Sequence, residues 1–323
     1  MASIYKAGNV NTSGSMDSAI QQTAIAKVLG RLNANLVVTN LITNRSSDAR
    51  NQGSRYAATV LIPKTGAVSA TNKVPGSPAV PVAATATQST ITINKHKTWD
   101  ILVEDYGSLF SGPQLILQYA EDASAVLAEA IEVDVIGNYT SASRVISGAS
   151  INANWSLVTL IRKYTRQDKW SQNGETNIVW GPNAEYALFG SDQWNKTYVF
   201  GTDQAGNSVV TGDLGTRLGM HHYTSNLMPM IAGSPSNEVS IAFQKDAIAI
   251  CFVDMSMNDM PEELRAPTVK MVTMDYTDDH GTPIYSMRNI VGYSQLDRGM
   301  LVTYDTIYGT GPVRPEKLYA LQQ

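Results

Sequence analysis

From Pro63 to Gln88 the chain offers almost nothing to a hydrophobic core. The stretch holds no acidic residue, no aromatic residue and four prolines. A connection of about 25 residues is uncommon inside a compact domain unless it is functional or disordered. β-rich runs flank it. Arg55 to Ile62 comes before. From Thr90 onward Ile91, Ile93, Lys95, Lys97, Trp99, Ile101 and Val103 alternate strictly. That period of two predicts a long strand with one semi-apolar face. Residues 53–104 therefore read as a two-stranded arm whose tip, Ala67 to Thr87, leaves the body. A plain disordered loop is the competing reading.

Charge is segregated along the chain. Residues 1–97 carry ten Lys or Arg against two acids, Asp17 and Asp48, a net of +8. Residues 98–143 carry eight acids and no Lys or Arg, a net of -8. The whole chain stands at -4. A basic first third followed by an acid-only block predicts oppositely charged surfaces that meet, within one chain or between chains. Charged residues make up only 16%, below the usual share of about 25%. Ala, Ser, Thr, Asn and Gln replace them, a blend suited to burying surface against neighbours.

Much of the acid block reads as a helix. Gly112-Pro113 suits its first turn and Gly137 its stop. On a helical wheel Glu121, Asp122, Glu129 and Glu132 share one sector, with Ile116, Tyr119, Ala123, Val126, Leu127 and Ala130 opposite. The spacing predicts an amphipathic helix of about 25 residues, roughly 37 Å long. Its outer stripe is purely acidic, whereas a solvated face ordinarily mixes Lys with Glu. The stripe therefore predicts a basic partner, against the bland reading of a merely solvated face.

Elsewhere, residues 1–15 are polar and aperiodic and read as a flexible arm. Ile20, Ala24, Val28 and Leu32 recur every four residues, predicting a short amphipathic helix from Asp17 or Ser18 to Leu32. Leu36 to Ile42 is an extended run. A helix is expected over 154–170, facing Leu157, Leu160, Ile161 and Tyr164 inward. Thr176 to Trp180 reads as a strand, Gly181-Pro182 as a helix start running to about Phe189, and Gly190 to Gly215 as a large polar loop. Strand-like segments follow at Gly219 to Met228, Val239 to Phe243, Ala247 to Val253, Val269 to Tyr276, Pro283 to Tyr293 and Gly299 to Tyr308. The fold class is α+β.

Catalytic chemistry finds little support. The single cysteine, Cys251, excludes an internal disulfide and a cysteine zinc cage. It sits in an apolar run and reads as a buried, inert thiol. That run is far short of the ~20 residues of a bilayer span, and no signal peptide is visible. The expectation is a soluble protein made in a reducing cytoplasm. His221 and His222 on one strand point to opposite faces, so they cannot share a metal. Asp278-Asp279-His280-Gly281 suits a hairpin turn, although with His222 it offers an outside reading as a metal-dependent hydrolase. Gly212 to Gly219 lacks the Lys-Ser/Thr and the strand–loop–helix setting of a phosphate loop. No catalytic, cofactor-binding or metal-binding residue is nominated, and no cofactor is expected.

In order, the elements are a basic arm, a long β-arm with a bare tip, a long acidic helix, an α/β unit with a polar loop, and closing strands. This set resembles the major capsid (coat) proteins of tailed double-stranded DNA bacteriophages, the Hong Kong 97 fold, over essentially the whole chain. Local sequence agrees at Asn177-Ile-Val-Trp-Gly-Pro-Asn183, at Leu218-Gly-Met-His-His-Tyr-Thr-Ser-Asn-Leu-Met-Pro229 and at Ile241-Ala-Phe-Gln-Lys-Asp-Ala-Ile248. It agrees again at Tyr304-Asp-Thr-Ile-Tyr-Gly-Thr-Gly-Pro-Val-Arg-Pro-Glu316.

The resemblance implies an N-terminal arm (1–52), an extended β-hairpin loop (53–104), and a spine helix with the first part of a peripheral domain (105–145). An axial domain (146–250) and the second part of the peripheral domain (251–323) complete it. It implies no enzyme but a structural subunit that forms hexamers and pentamers of an icosahedral head. Packaged double-stranded DNA would be enclosed without sequence-specific binding, in keeping with a chain that lacks a strong basic footprint. A scaffolding protein, a portal and a decoration protein are the further partners implied, with no membrane. Location in the virion, after assembly in the host bacterial cytoplasm, follows. Candidate intersubunit contacts are Arg50, Arg55, Lys64, Lys73, Lys95 and Lys97 on the basic side and Glu121, Asp122, Glu129 and Glu132 on the acidic side. One family member welds its shell with Lys–Asn isopeptide bonds, but no match fixes an Asn partner for Lys64 or Lys73, so that chemistry is not carried over. The encapsulin nanocompartments, which share the fold, are the near alternative.

Overall fold

The computed structural model describes residues 36–51, 59–65, 72–73, 75–76, 78, 86–147, 153–170, 175–191, 194, 214–232, 237–253, 269–277, 283–294 and 299–322. In chain order, α1 (Val38–Leu41), β1 (Thr43–Asn44) and α2 (Ser46–Asn51) precede β2 (Thr59–Thr65), β3 (Ala86–Thr92) and β4 (Lys95–Glu104). The long helix α3 (Asp105–Ile136) and β5 (Arg144–Ser147) lead to α4 (Trp155–Gln167), β6 (Thr176–Trp180) and α5 (Pro182–Phe189). Strands β7 (Thr216–Arg217), β8 (Met220–Thr224), β9 (Met230–Ile231), β10 (Asn237–Gln244) and β11 (Ile248–Val253) follow. The chain closes with β12 (Val269–Thr277), β13 (Pro283–Ser294), β14 (Gly299–Pro312) and β15 (Leu318–Gln322). The predicted helix at 17–32 and most of the loop at 190–215 lie outside the described residues.

Two sheets sandwich α3. One has the order β1-β11-β14-β13-β12, with β4 on the other edge of β14. The second has the order β5-β15-β10-β6-β8-β7, with β9 on β10. Strand alternation sorts the cores. Ile241, Phe243 and Val179 point toward α3, where Leu127, Ile131 and Val135 meet Ile250, Phe252, Tyr304 and Tyr308 from the first sheet. Ala242, Ile178 and Trp180 point the other way, under Leu157, Val158 and Ile161 of α4 and Ala184 and Leu188 of α5. Covered on both faces, β6 is buried at every residue. The Asn154 side chain caps α4 by accepting the Leu157 amide at 2.9 Å. At the start of α5 the Glu238 carboxylate accepts the Asn183 and Ala184 amides.

Three local expectations change. Leu36 to Ile42, expected to be extended, contains the short helix α1 (Val38–Leu41). The alternating run from Thr90 to Val103 is two strands, broken at Ile93-Asn94. β3 pairs with β2, from Thr92↔Thr59 to Ala86↔Thr65, as a separate two-stranded sheet. β4 instead pairs with β14, from Lys95↔Tyr308 to Glu104↔Gly299. The break falls where the hairpin crosses β14. The Thr92–Ile93 backbone passes so close to Gly309 that any Cβ there would collide with it. The long helix also starts earlier than Gly112-Pro113. β4 runs directly into it at Asp105, leaving no loop for Pro113 to open. Its 32 residues span roughly 48 Å.

Candidate assembly surface

The long helix α3 presents three distinct flanks. On the first, Asp134 receives both lysines of β4. Lys95 Nζ lies 3.2 Å and Lys97 Nζ 3.0 Å from its carboxylate, and the Tyr308 hydroxyl donates to it at 2.7 Å. Alternation in β4 puts Lys95 and Lys97 on one face, opposite Tyr308 and Thr306 in register. Burial works to raise the Asp134 pKa, but the Tyr308 hydroxyl and the two ammonium groups outweigh it and hold the carboxyl below its ordinary value. Burial and the Asp134 carboxylate push the Tyr308 phenol up. The basic and acidic blocks therefore do meet, and here they meet within one subunit.

The second flank corrects the reading of Glu132 as part of an outer stripe. Glu132 is 1% exposed, and its Oε1 accepts the Thr39 amide at 3.4 Å. It lines a cavity of about 300 Å³ with Val37, Pro182, Glu185, Ser225 and Leu227, and among the described residues its Oε2 has no hydrogen-bond partner. Burial pushes the carboxyl up to about 7, against the pull of the Thr39, Val37 and Val38 amides. Because α3 packs between two sheets, its buried arc is wide and includes Ala123, Ser124, Leu127, Ala128, Ile131, Glu132, Val135 and Ile136. Small residues allow the close approach, and Ser124 returns its hydroxyl to the Glu121 carbonyl at 2.6 Å.

What faces solvent is the third flank, rotated from the expected one. Asp122 and Glu129 are exposed, Glu121 is half-buried, and Val126, expected inward, is 50% exposed. Val133 is 49% exposed. The outward stripe thus alternates acid and valine rather than being purely acidic.

The β2–β3 hairpin is fixed to its own subunit at the base. Val60, Ile62 and Ile91 pack on Ala249, Cys251 and Val313. Lys64 Nζ pairs with Glu316 at 2.6 Å, and the Ser89 hydroxyl donates to the Val313 carbonyl at 3.0 Å. Cys251 is buried in this small core, as expected. Toward the tip Asn72, Lys73, Pro75, Gly76 and Pro78 are all exposed. Arg55 and the side chain of Arg50 lie outside the described residues. A second exposed apolar area lies on the sheet, where Leu102 and Leu301 are paired in register.

His222 belongs to the core of the α4/α5 side. Its Nδ1 accepts the Trp180 Nε1–H at 3.0 Å, and its ring stands edge-on to Trp194 at 5.1 Å. Burial pushes the imidazole down to about 4, so it is neutral at pH 7. Asp278 and His280 lie outside the described residues.

Sequence reasoning missed Asp134 as the meeting point of the two charge blocks, although Lys95 and Lys97 two apart on an alternating strand were its visible half. It also missed the glycine at 309, which seats the arm.

Two packed sheets around one long helix, with a hairpin arm rooted on β14, make a fold that is similar to that of solved phage capsid structures. No family model matches the sequence, and no curated protein does. The similarity is structural. A structure from Mycobacterium phage Che8 matches with a TM-score of 0.59 at 16% identity, over 88% of this chain and 90% of that one. The capsid of cyanophage P-SCSP1u matches with a TM-score of 0.61 at 15% identity, over 88% and 87%. A virus-like particle from Pyrococcus furiosus matches with a TM-score of 0.50 at 9% identity, over 92% and 96%.

Proposed function

We propose that this chain is the major capsid protein of a tailed double-stranded DNA bacteriophage, a structural subunit that assembles with itself into a closed icosahedral shell. The observation that carries the reading is the near end-to-end match to the cyanophage P-SCSP1u capsid structure, 88% of this chain on 87% of that one. At these identities the shared feature is architecture. Shape is what a shell subunit must preserve to tile a surface.

Hexamers and pentamers, a portal, a scaffolding protein, a decoration protein and enclosed DNA belong to this proposal, as does assembly in the bacterial cytoplasm. So do the division into arm, extended loop, peripheral and axial parts, and the contact roles of Arg50, Arg55 and Lys73. Contacts of this head-to-tail kind close into rings when the rotation allows. An encapsulin-type compartment is the second reading, supported by the Pyrococcus particle, but that match is the weaker one. Sedimentation of the expressed protein, alone and with a scaffold supplied, tests the proposal. Particles of megadalton size are expected. Particles from the native source that hold an enzyme and no nuclease-protected DNA would favour the compartment instead.

A further inference from the structure

The outward stripe of the long helix α3 has the spacing of a helix-docking seam. Asp122, Val126, Glu129 and Val133 follow one another at intervals of four, three and four residues, all exposed. Intervals of three and four keep side chains on one narrow line, the geometry by which one helix receives another. The line runs roughly 16 Å along the axis. Half-exposed valines at both of its apolar positions leave it without a cover among the described residues.

A cover of matching length and charge lies elsewhere in this sequence. Residues 17–32 place Ile20, Ala24, Val28 and Leu32 at four-residue intervals, with Lys27 and Arg31 beside them and Asp17 as the sole acid. As a helix the segment spans roughly 24 Å, enough to cover the stripe. Its two cations complement Asp122 and Glu129. Isolated helices of this length are marginal in water, so it needs a surface on which to fold.

The described chain also ends in the right place. Leu36 and Val38 are buried in the core with α3, and the Thr39 amide is held by Glu132. Glu132 lies about 60° around the helix from Glu129, on the flank next to the stripe. Only Asn33, Ala34 and Asn35 separate Leu36 from Leu32, a reach of at most about 14 Å. The stripe extends from that level toward the start of α3, so the segment would run parallel to it.

We propose that residues 17–32 dock as a helix on the Asp122–Val133 stripe of the long helix α3 of the same chain. The assignment is independent of the capsid reading, since it concerns how one subunit completes itself. In the full-length protein, Val126→Cys is paired in turn with Ala24→Cys, Ile25→Cys and Val28→Cys, and each is oxidised and run on a denaturing, non-reducing gel. At least one pair should form a disulfide within a single chain, seen as a faster band at monomer mass. Hydrogen exchange over 17–32 should be slowed at least tenfold relative to the Asp122→Lys/Glu129→Lys variant, and adding Lys27→Glu/Arg31→Glu to that variant should restore protection. A crosslink at twice the chain mass would assign the segment to a second copy and overturn the proposal. Exchange at the rate of an unstructured peptide in the parent protein, with no crosslink, would overturn it equally.

Discussion

The Glu132 carboxylate and the backbone amide of Thr39 stand 3.4 Å apart, although 93 residues separate them in the chain. The contact ties the segment around α1 to the C-terminal end of the long helix α3. It does so with a buried carboxyl, one oxygen of which has no hydrogen-bond partner among the described residues. A carboxylate in that position is costly when ionised.

The pH dependence follows from the sign of its shift. Glu132 titrates at about 7 in the folded protein and at its ordinary value of 4.5 when unfolded. Between those values the folded state binds the extra proton, so stability falls as pH rises from 4.5 to 7 and is level above. Asp134, held low, acts with the opposite sign, losing its contribution as pH falls. Glu132→Gln should therefore match the parent at pH 4 and exceed it at pH 8, by about 3 kcal/mol from the size of the shift. Unfolding of free subunits followed across pH checks this. Parallel curves for parent and variant would remove Glu132 as the titrating group.

The seat of the hairpin makes a second prediction. A Cβ at Gly309 meets the Thr92 backbone, whereas one at Gly311 would meet Ile91 Cγ1 at 3.8 Å and the Thr90 carbonyl oxygen at 3.9 Å, both ordinary contacts. Gly309→Ala should cost about 1–3 kcal/mol, the usual scale of overpacking. It should also speed thiol labelling of Cys251, which lies under the hairpin base. Gly311→Ala is the control and should do neither. Equal labelling in both variants would show that the base does not rest on Gly309.

Much of the architecture was legible in the sequence because burial patterns are local. Strand-like apolar runs located β6, β10 and β14, the inward set Leu157, Leu160, Ile161 and Tyr164 located α4, and Gly181-Pro182 marked the start of α5. What was not legible was set by packing from outside the element. The inward face of α3 came out rotated because two sheets, not one, bury it, which takes in Glu132 and turns Val126 out. Among the candidate contacts, Lys95, Lys97 and Lys64 have partners within the subunit. Asp122, Glu129 and Lys73 are exposed, which sequence alone could not separate from the rest.

The arm supplies a third prediction, sharpened by the register. Thr65 and Ala86 are directly paired, so residues 66–85 can be replaced by Asn-Gly, which suits a two-residue hairpin turn. Free subunits should unfold at nearly the parent temperature, because the base contacts of Val60, Ile62 and Ile91 remain. Shells should fail to close or should disrupt at lower temperature. A subunit that unfolds much earlier would place the tip in its own core, and shells of normal stability would end its role as an intersubunit strap.

An electron micrograph of the expressed protein, with scaffold supplied, tests whether this chain builds a shell. Closed, uniform icosahedral shells built from this chain are the predicted result. A field of compact monomers or dimers, under conditions where the subunit is folded, would contradict the account.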